Sequence, residues 1–234
     1  MELILVRHGE SEANVAASAA EASGALRIAV PARDADVELS DRGRRQAEAL
    51  GRRLAADPVP DTIRVSPYRR ARTTADLVVA TAGWTVAPYA DERLRDRELG
   101  VLDTLTGRGV RELHPDEAER RRFLGKFYYR PPGGESWADV ALRIRSVLPD
   151  LEASGGRVLV VAHDAVIWLF RAVCERIEER ELLDLAASAP IPNASITRLV
   201  HDGGDGPWRA AVVDDVAHLD EVTEHGGRHD APQG

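Results

Sequence analysis

Residues 3–10 read Leu3-Ile4-Leu5-Val6-Arg7-His8-Gly9-Glu10, a short apolar run that ends on an arginine and a histidine. The pattern recurs twice. Thr62-Ile63-Arg64-Val65 leads into Ser66-Pro67-Tyr68-Arg69-Arg70-Ala71, and Val158-Leu159-Val160-Val161-Ala162 leads into His163-Asp164. Short β-branched runs of this kind read as buried strands of a parallel sheet. In open α/β sheets, ligands bind in the crevice beyond the carboxyl ends of the strands. Two histidines and at least two arginines are thus expected to converge on one pocket, a set that suits a phosphate dianion better than a metal.

Working outward, the segments between these runs carry helix signals. Ser11 to Ala22 is alanine-rich, and Ser40 reads as the N-cap of a helix whose apolar face is Ala47, Leu50 and Leu54. Asp57-Pro58-Val59-Pro60 ends that helix. Ser66 is expected to cap the next one, with Pro67 in its first turn, before a short strand near Trp84 to Ala87. Gly107 to Tyr129 reads as helical with a break at His114-Pro115, and Pro131-Pro132-Gly133-Gly134 is a clear stop. Ser136 and Asp139 resemble a capping box ahead of Trp137, Val140, Ile144, Leu148 and Leu151, which recur at helical spacing. Helices from Ala165 and near Glu178 to Ala187 follow, then a hairpin of Ser195–Val200 and Trp208–Val213. Gly24 to Asp36 has no clean period and reads as a loop.

Strands and helices alternate without a linker, so the expected fold is one α/β domain over residues 1–220. Its architecture is a three-layer sandwich with a mostly parallel central sheet and helices on both faces. Residues 221–234 read as a disordered tail.

The net charge of −8 recommends no nucleic-acid partner, and the longest apolar runs are too short to span a bilayer. Cys174 is the only cysteine, so no internal disulfide can form. The chain opens directly on a strand with no signal-like leader, which makes cytoplasmic the expected location. Lys126 is the only lysine; this arginine bias weakens the meaning of any single arginine, including Arg120, Arg121 and Arg122, which read as a solvated helix face. Tyr128, Tyr129 and Trp137 read as core or loop anchors. His114, His201, His218, His225 and His229 lack metal-ligand spacing, and no metal is expected. Nothing in the chain specifies an oligomeric state.

Arg7-His8-Gly9, then Ser66-Pro67-Tyr68-Arg69-Arg70-Ala71-Arg72-Thr73-Thr74-Ala75, then a late histidine after a strand, resemble the histidine phosphatase superfamily. That superfamily includes the cofactor-dependent phosphoglycerate mutases and many small phosphatases. The resemblance runs from Met1 to about Leu219, weakest between Ala16 and Asp36, and implies the phosphoglycerate mutase-like fold.

The residues themselves suggest how such a site works. A loose, in-line phosphoryl transfer is catalysed mainly by positioning and electrostatics, and a histidine nucleophile divides it into two steps. His8 is the expected nucleophile, with Gly9 leaving room for backbone donors to reach the phosphate. Arg7 and Arg70 supply planar forks for its oxygens, and His163, protonated beside the dianion, donates to the same group. The family-like register, in which the ligand stands directly before Ala71, selects Arg70 and implies that Arg69 faces solvent. The resemblance adds Asn14 as a phosphate ligand. It also places the proton donor in a Leu-x-Glu-x-x-x-Gly loop, where this chain has Leu94-Arg95-Asp96-Arg97-Glu98-Leu99-Gly100. The glutamate position holds Asp96, a glutamate stands two residues later at Glu98, and the acid-phosphatase branch would instead use Asp164.

The expected function is a phosphomonoesterase acting through phosphohistidine on a small phosphorylated metabolite, with no cofactor. A mutase is the alternative, with residues 115–135 as its lid, although Ala13 stands where the mutase pattern has tryptophan. A phosphate- or partner-binding domain that has lost turnover is the third reading. Specificity is expected from residues 24–36 and 104–136.

Overall fold

Strand β1 (Glu2–Arg7) is hydrogen-bonded on both sides, as an unbroken apolar run requires. In this computed structural model, which describes residues 1–188, 190–220 and 222, it belongs to a six-stranded sheet with β2 (Thr62–Val65), β3 (Pro88–Ala90), β4 (Arg157–Ala162), β5 (Ile196–Val200) and β6 (Arg209–Asp215). The strand order is β3-β2-β4-β1-β5-β6. β1 to β4 run parallel, while β5 and β6 run antiparallel to their neighbours. The sheet is therefore mixed but mostly parallel, and the hairpin is its antiparallel margin.

Side chains alternate across a strand, so each apolar run feeds two cores at once. Leu3, Leu5, Val158 and Val160 face α6 (Trp137–Ser154) and α7 (Asp164–Glu175), packing on Val140, Ile144, Leu151 and Phe170. Ile4, Val6, Leu159 and Val161 face the other way, onto Leu50 and Leu54 of α2 (Asp41–Leu54) and Ala71, Ala75 and Val78 of α3 (Arg69–Ala82). This double burial is why the runs lack polar alternation.

The remaining helices are α1 (Glu12–Ser23), α4 (Gly107–Leu113), α5 (Pro115–Tyr128) and α8 (Glu179–Ser188). The caps predicted at Ser40 of α2 and Ser136 of α6 form, and α1 gains one at Ser11 that was not predicted. Ser11 caps α1, Ser40 accepts the Gly43 N–H at 3.0 Å, and Ser136 forms a capping box with Asp139. Pro115 opens α5 after a break at His114.

Two local expectations fail. Ser66 does not cap α3; that helix starts at Arg69 with Tyr68 as its N-cap residue and no side-chain cap bond. The Ser66 hydroxyl is engaged elsewhere, by His163. The strand expected near Trp84 to Ala87 lies instead at Pro88–Ala90, and Trp84 and Val86 before it are half-buried against the core that α2 and α3 share with the sheet. The tail expected over residues 221–234 lies outside the described residues, Val222 excepted.

Candidate active site

The parallel register of β1 and β4 sets Arg7 opposite Ala162, so His8 and His163 follow equivalent positions on adjacent strands. One inter-strand spacing then separates the two imidazoles; their ring centroids are 5.1 Å apart at an interplanar angle of 62°. Both rings are buried. His8 Nδ1 lies 2.7 Å from the Gly9 carbonyl oxygen, which can only accept, so Nδ1 carries the proton. Nε2 is left with its lone pair, and it accepts from Arg70 Nε–H at 3.2 Å. Burial, reinforced by His163, Arg70 and Arg7, holds the His8 pKa well below the ordinary imidazole value. The ring is neutral, and His8 lines a cavity beside Arg70.

His163 precedes α7 and sits 2.7 Å, through Nε2, from Ser66 Oγ. Its Nδ1 is buried without a hydrogen bond, 3.3 Å from Asp96 Oδ2. Burial and then Arg70 and Arg7 hold its pKa well below the ordinary value too. Within the protein alone His163 is therefore neutral, and the charged form expected from the sequence needs the dianion.

Arg7, Asn14 and Arg70 line the same cavity, whose volume is about 370 Å³. Arg7 donates through Nη1 to the Ile191 carbonyl, and its Nε is buried without a hydrogen bond. Arg70, in the first turn of α3, is buried, whereas Arg69 is 59% exposed and pairs with Glu38 at 2.7 Å. The helix turn thus sends one arginine inward and its neighbour outward. Asn14 is the third residue of α1, held by the capping box. Its Oδ1 accepts from Ser11 N–H and Oγ, both at 3.0 Å, and from Asn193 Nδ2 at 3.3 Å. The amide N–H pair is what remains to offer the cavity.

All three candidate proton donors reach the cavity, in different settings. Asp96 stands between the phosphate-type ligands, with Oδ2 3.0 Å from Arg70 Nη2 and 3.3 Å from His163 Nδ1. Glu98 accepts the Tyr68 hydroxyl at 2.6 Å. Asp164 accepts the Ile191 N–H at 2.9 Å, and burial raises its carboxyl pKa.

Gly9 is needed for a different reason than expected. Its N–H donates to Thr74 Oγ1 at 3.1 Å rather than toward the cavity. A Cβ there would fall 2.4 Å from the Gly43 carbonyl oxygen, so the missing side chain admits the backbone of α2. The sequence reading also missed residues 190–194. Ala194 N–H donates to the Arg7 and His8 carbonyls, and Asn193 Nδ2 donates to His8 O at 3.0 Å. Pro190-Ile191-Pro192-Asn193 signals only a loop. Asp34, Arg97, Asp103 and Lys126 line the cavity as well. The anchor readings separate: Tyr129 and Trp137 are buried, Tyr128 is exposed, and Arg120, Arg121 and Arg122 are exposed on α5.

Among the described residues no group of three or more His, Cys, Asp or Glu side chains is arranged to hold a metal ion. No helix there is long and apolar enough to cross a membrane.

The model of the histidine phosphatase superfamily, branch 1, matches residues 3–214. A 2,3-bisphosphoglycerate-dependent phosphoglycerate mutase of Methylobacterium radiotolerans is 33% identical over 197 residues, 81% of this chain and 86% of the mutase. A mycobacterial glucosyl-3-phosphoglycerate phosphatase structure superposes with a TM-score of 0.74 at 29% identity, covering 92% of this chain and 99% of the phosphatase. The α-ribazole phosphatase of Shigella flexneri, with a TM-score of 0.72 over 92% of this chain and 96% of its own, shares the fold at 20% identity.

Proposed function

The chain belongs to the histidine phosphatase superfamily, branch 1, and from that premise we propose that it is a phosphomonoesterase working through phospho-His8. The observation that carries this reading is the state of His8: Nδ1 is tied to Gly9 O and Nε2 presents a lone pair beside Arg70. In the first step Nε2 attacks phosphorus as the ester P–O bond breaks, and Asp96 gives its proton to the departing oxygen. In the second, water attacks phosphorus as the P–Nε2 bond breaks and Asp96 takes a proton from the water, releasing inorganic phosphate and the free imidazole. Arg7, Arg70, Asn14 and His163 hold the phosphoryl oxygens in both steps. Asp96 fits the donor role better than Glu98 or Asp164 because it alone touches both Arg70 and the neighbourhood of His163.

The substrate we propose is a small phosphorylated metabolite, handled in the cytoplasm without a metal or cofactor. The glucosyl-3-phosphoglycerate phosphatase neighbour supports hydrolysis. A mutase activity is the second reading, favoured by the 33% identical relative; Ala13 in place of the mutase pattern's tryptophan argues against it.

The test is a phosphate-release screen over many phosphomonoesters, with 3-phosphoglycerate isomerisation assayed beside it. The parent should form an acid-labile, base-stable phosphoenzyme, and His8→Ala should abolish both that species and turnover. Hydrolysis of p-nitrophenyl phosphate by His8→Ala near the parental rate would rule out the covalent route. A burst of phosphate equal to the enzyme present, without further turnover, would point to a binding domain instead.

A further inference from the structure

Arg70 has five N–H donors, and the protein's own atoms take all five. Nε donates to His8 Nε2 at 3.2 Å. Nη2 donates to Asp96 Oδ2 at 3.0 Å and to Asp34 Oδ2 at 3.3 Å. Nη1 donates to the Asp34 carbonyl at 2.7 Å and to Asp34 Oδ1 at 2.8 Å. A guanidinium offers two forked edges that can each grip an oxyanion. The Nε–Nη2 edge points at His8 and Asp96, the atoms between which the proposed transfer occurs. The Nη1–Nη2 edge is closed by both carboxylate oxygens of Asp34.

We infer that Asp34 is a positioning residue, which clamps the far edge of Arg70 so that the near edge stays aimed at the phosphoryl group on His8. The inference rests on the phosphohistidine reading for the identity of that group. Two features separate a clamp from a carboxylate that competes with substrate. A competitor would occupy the Nε–Nη2 edge, where the phosphoryl oxygens belong, and Asp34 occupies the other one. Its backbone carbonyl shares the grip, so the whole turn at residues 34–36 is fastened to α3. The Arg70 side chain is 5% exposed and that of Asp34 37%. Asp34, which also lines the cavity, thus covers the Nη1–Nη2 edge of a buried arginine. Without it, a long and flexible side chain would have only the reacting atoms and the face of the Tyr68 ring, 5.0 Å from its guanidinium carbon, to orient it, and misplacements of about an ångström cost large factors in rate.

The experiment is a double-mutant cycle on binding of inorganic phosphate, read by titration calorimetry, with kcat and KM for p-nitrophenyl phosphate measured in parallel. Asp34→Ala should weaken phosphate binding about tenfold and lower kcat by a similar factor, with the melting temperature unchanged. Asp34→Asn, which keeps one oxygen for Nη1, should lose less. In an Arg70→Lys background the ammonium has no second edge, so adding Asp34→Ala should change phosphate affinity by less than about twofold. An equal loss in both backgrounds would show that Asp34 acts independently of Arg70 and overturn the clamp. Tighter phosphate binding by Asp34→Ala would overturn it as well, since Asp34 would then be a competing anion. Coupling in the binding cycle without parental turnover would overturn the phosphatase reading alone. Turnover with uncoupled effects would overturn the clamp alone, and a parent that binds no phosphate would sink both.

Discussion

At Asp96 the chemistry of the leaving group supplies the test. A departing alkoxide is strongly basic and needs a proton as the P–O bond breaks, whereas p-nitrophenolate leaves with little help. In single-turnover experiments Asp96→Asn should therefore slow phosphorylation of His8 by an alkyl phosphate about a hundredfold or more. The same substitution should leave phosphorylation by p-nitrophenyl phosphate nearly unchanged. Steady-state rates would blur this contrast, because the second step loses its base in the same variant. Glu98→Gln and Asp164→Asn should lack the dependence, since Glu98 is engaged with Tyr68 and Asp164 with the Ile191 N–H. A selective loss in either of those variants would move the donor there. Shortening the usual glutamate to aspartate does not remove the carboxylate from the site, which lies 3.0 Å from Arg70 Nη2.

Elements place these residues, and elements were also what the sequence declared most clearly. The three apolar runs could be read as parallel strands because burial on both faces removes polar alternation, and Ser40 and Ser136 announced their helices through cap chemistry. His8 and His163 were legible as a consequence, since each stands just past a strand, and Arg70 through the register of its motif against Ala71. Asp34 and Asn193 were not, because each sits in an irregular connection where no period links sequence to position. Ser66 was misread for a related reason: a serine before a proline is a good local cap, and only the neighbouring strand end reveals that His163 claims its hydroxyl. The role of Gly9 likewise depended on a contact distant in sequence. The end of β1 meets the start of α2 backbone to backbone, with Ser40 N–H donating to Glu10 O at 2.9 Å. A Cβ on Gly43 would fall 1.9 Å from that same carbonyl oxygen, a contact that only backbone movement can relieve. Gly43→Ala should thus destabilise the protein by about 1–3 kcal/mol, the usual range for overpacking, and lower turnover by shifting the turn that carries His8. Denaturant unfolding checks the first part; a variant of parental stability would show that the two elements are not locked together.

Across the whole molecule, the sheet concentrates the buried imidazoles of His8 and His163 at one end of adjacent central strands, and this couples the site to global stability. Both pKa values are held well below the ordinary one when the chain is folded, first by burial. In the unfolded chain both rings return to a pKa of about 6.5. Above that pH neither state binds the protons and the imidazoles add no pH dependence. As pH falls through about 6.5 the unfolded state takes up protons that the folded state refuses, so stability declines, by up to about 1.4 kcal/mol per pH unit for each ring. The decline continues until the depressed folded values are reached. Carboxylates that pair with arginine also lose stability in acid, so the histidine part must be isolated by comparison. Urea unfolding of the parent and of a His8→Gln/His163→Gln variant at pH 7.5 and pH 5.5 does this. The parent should lose more stability between the two values than the variant does, with a difference of up to about 2.8 kcal/mol. Equal losses would mean that the two rings take up protons in the folded protein over the same range as in the unfolded chain, so that burial would not be holding them neutral in acid.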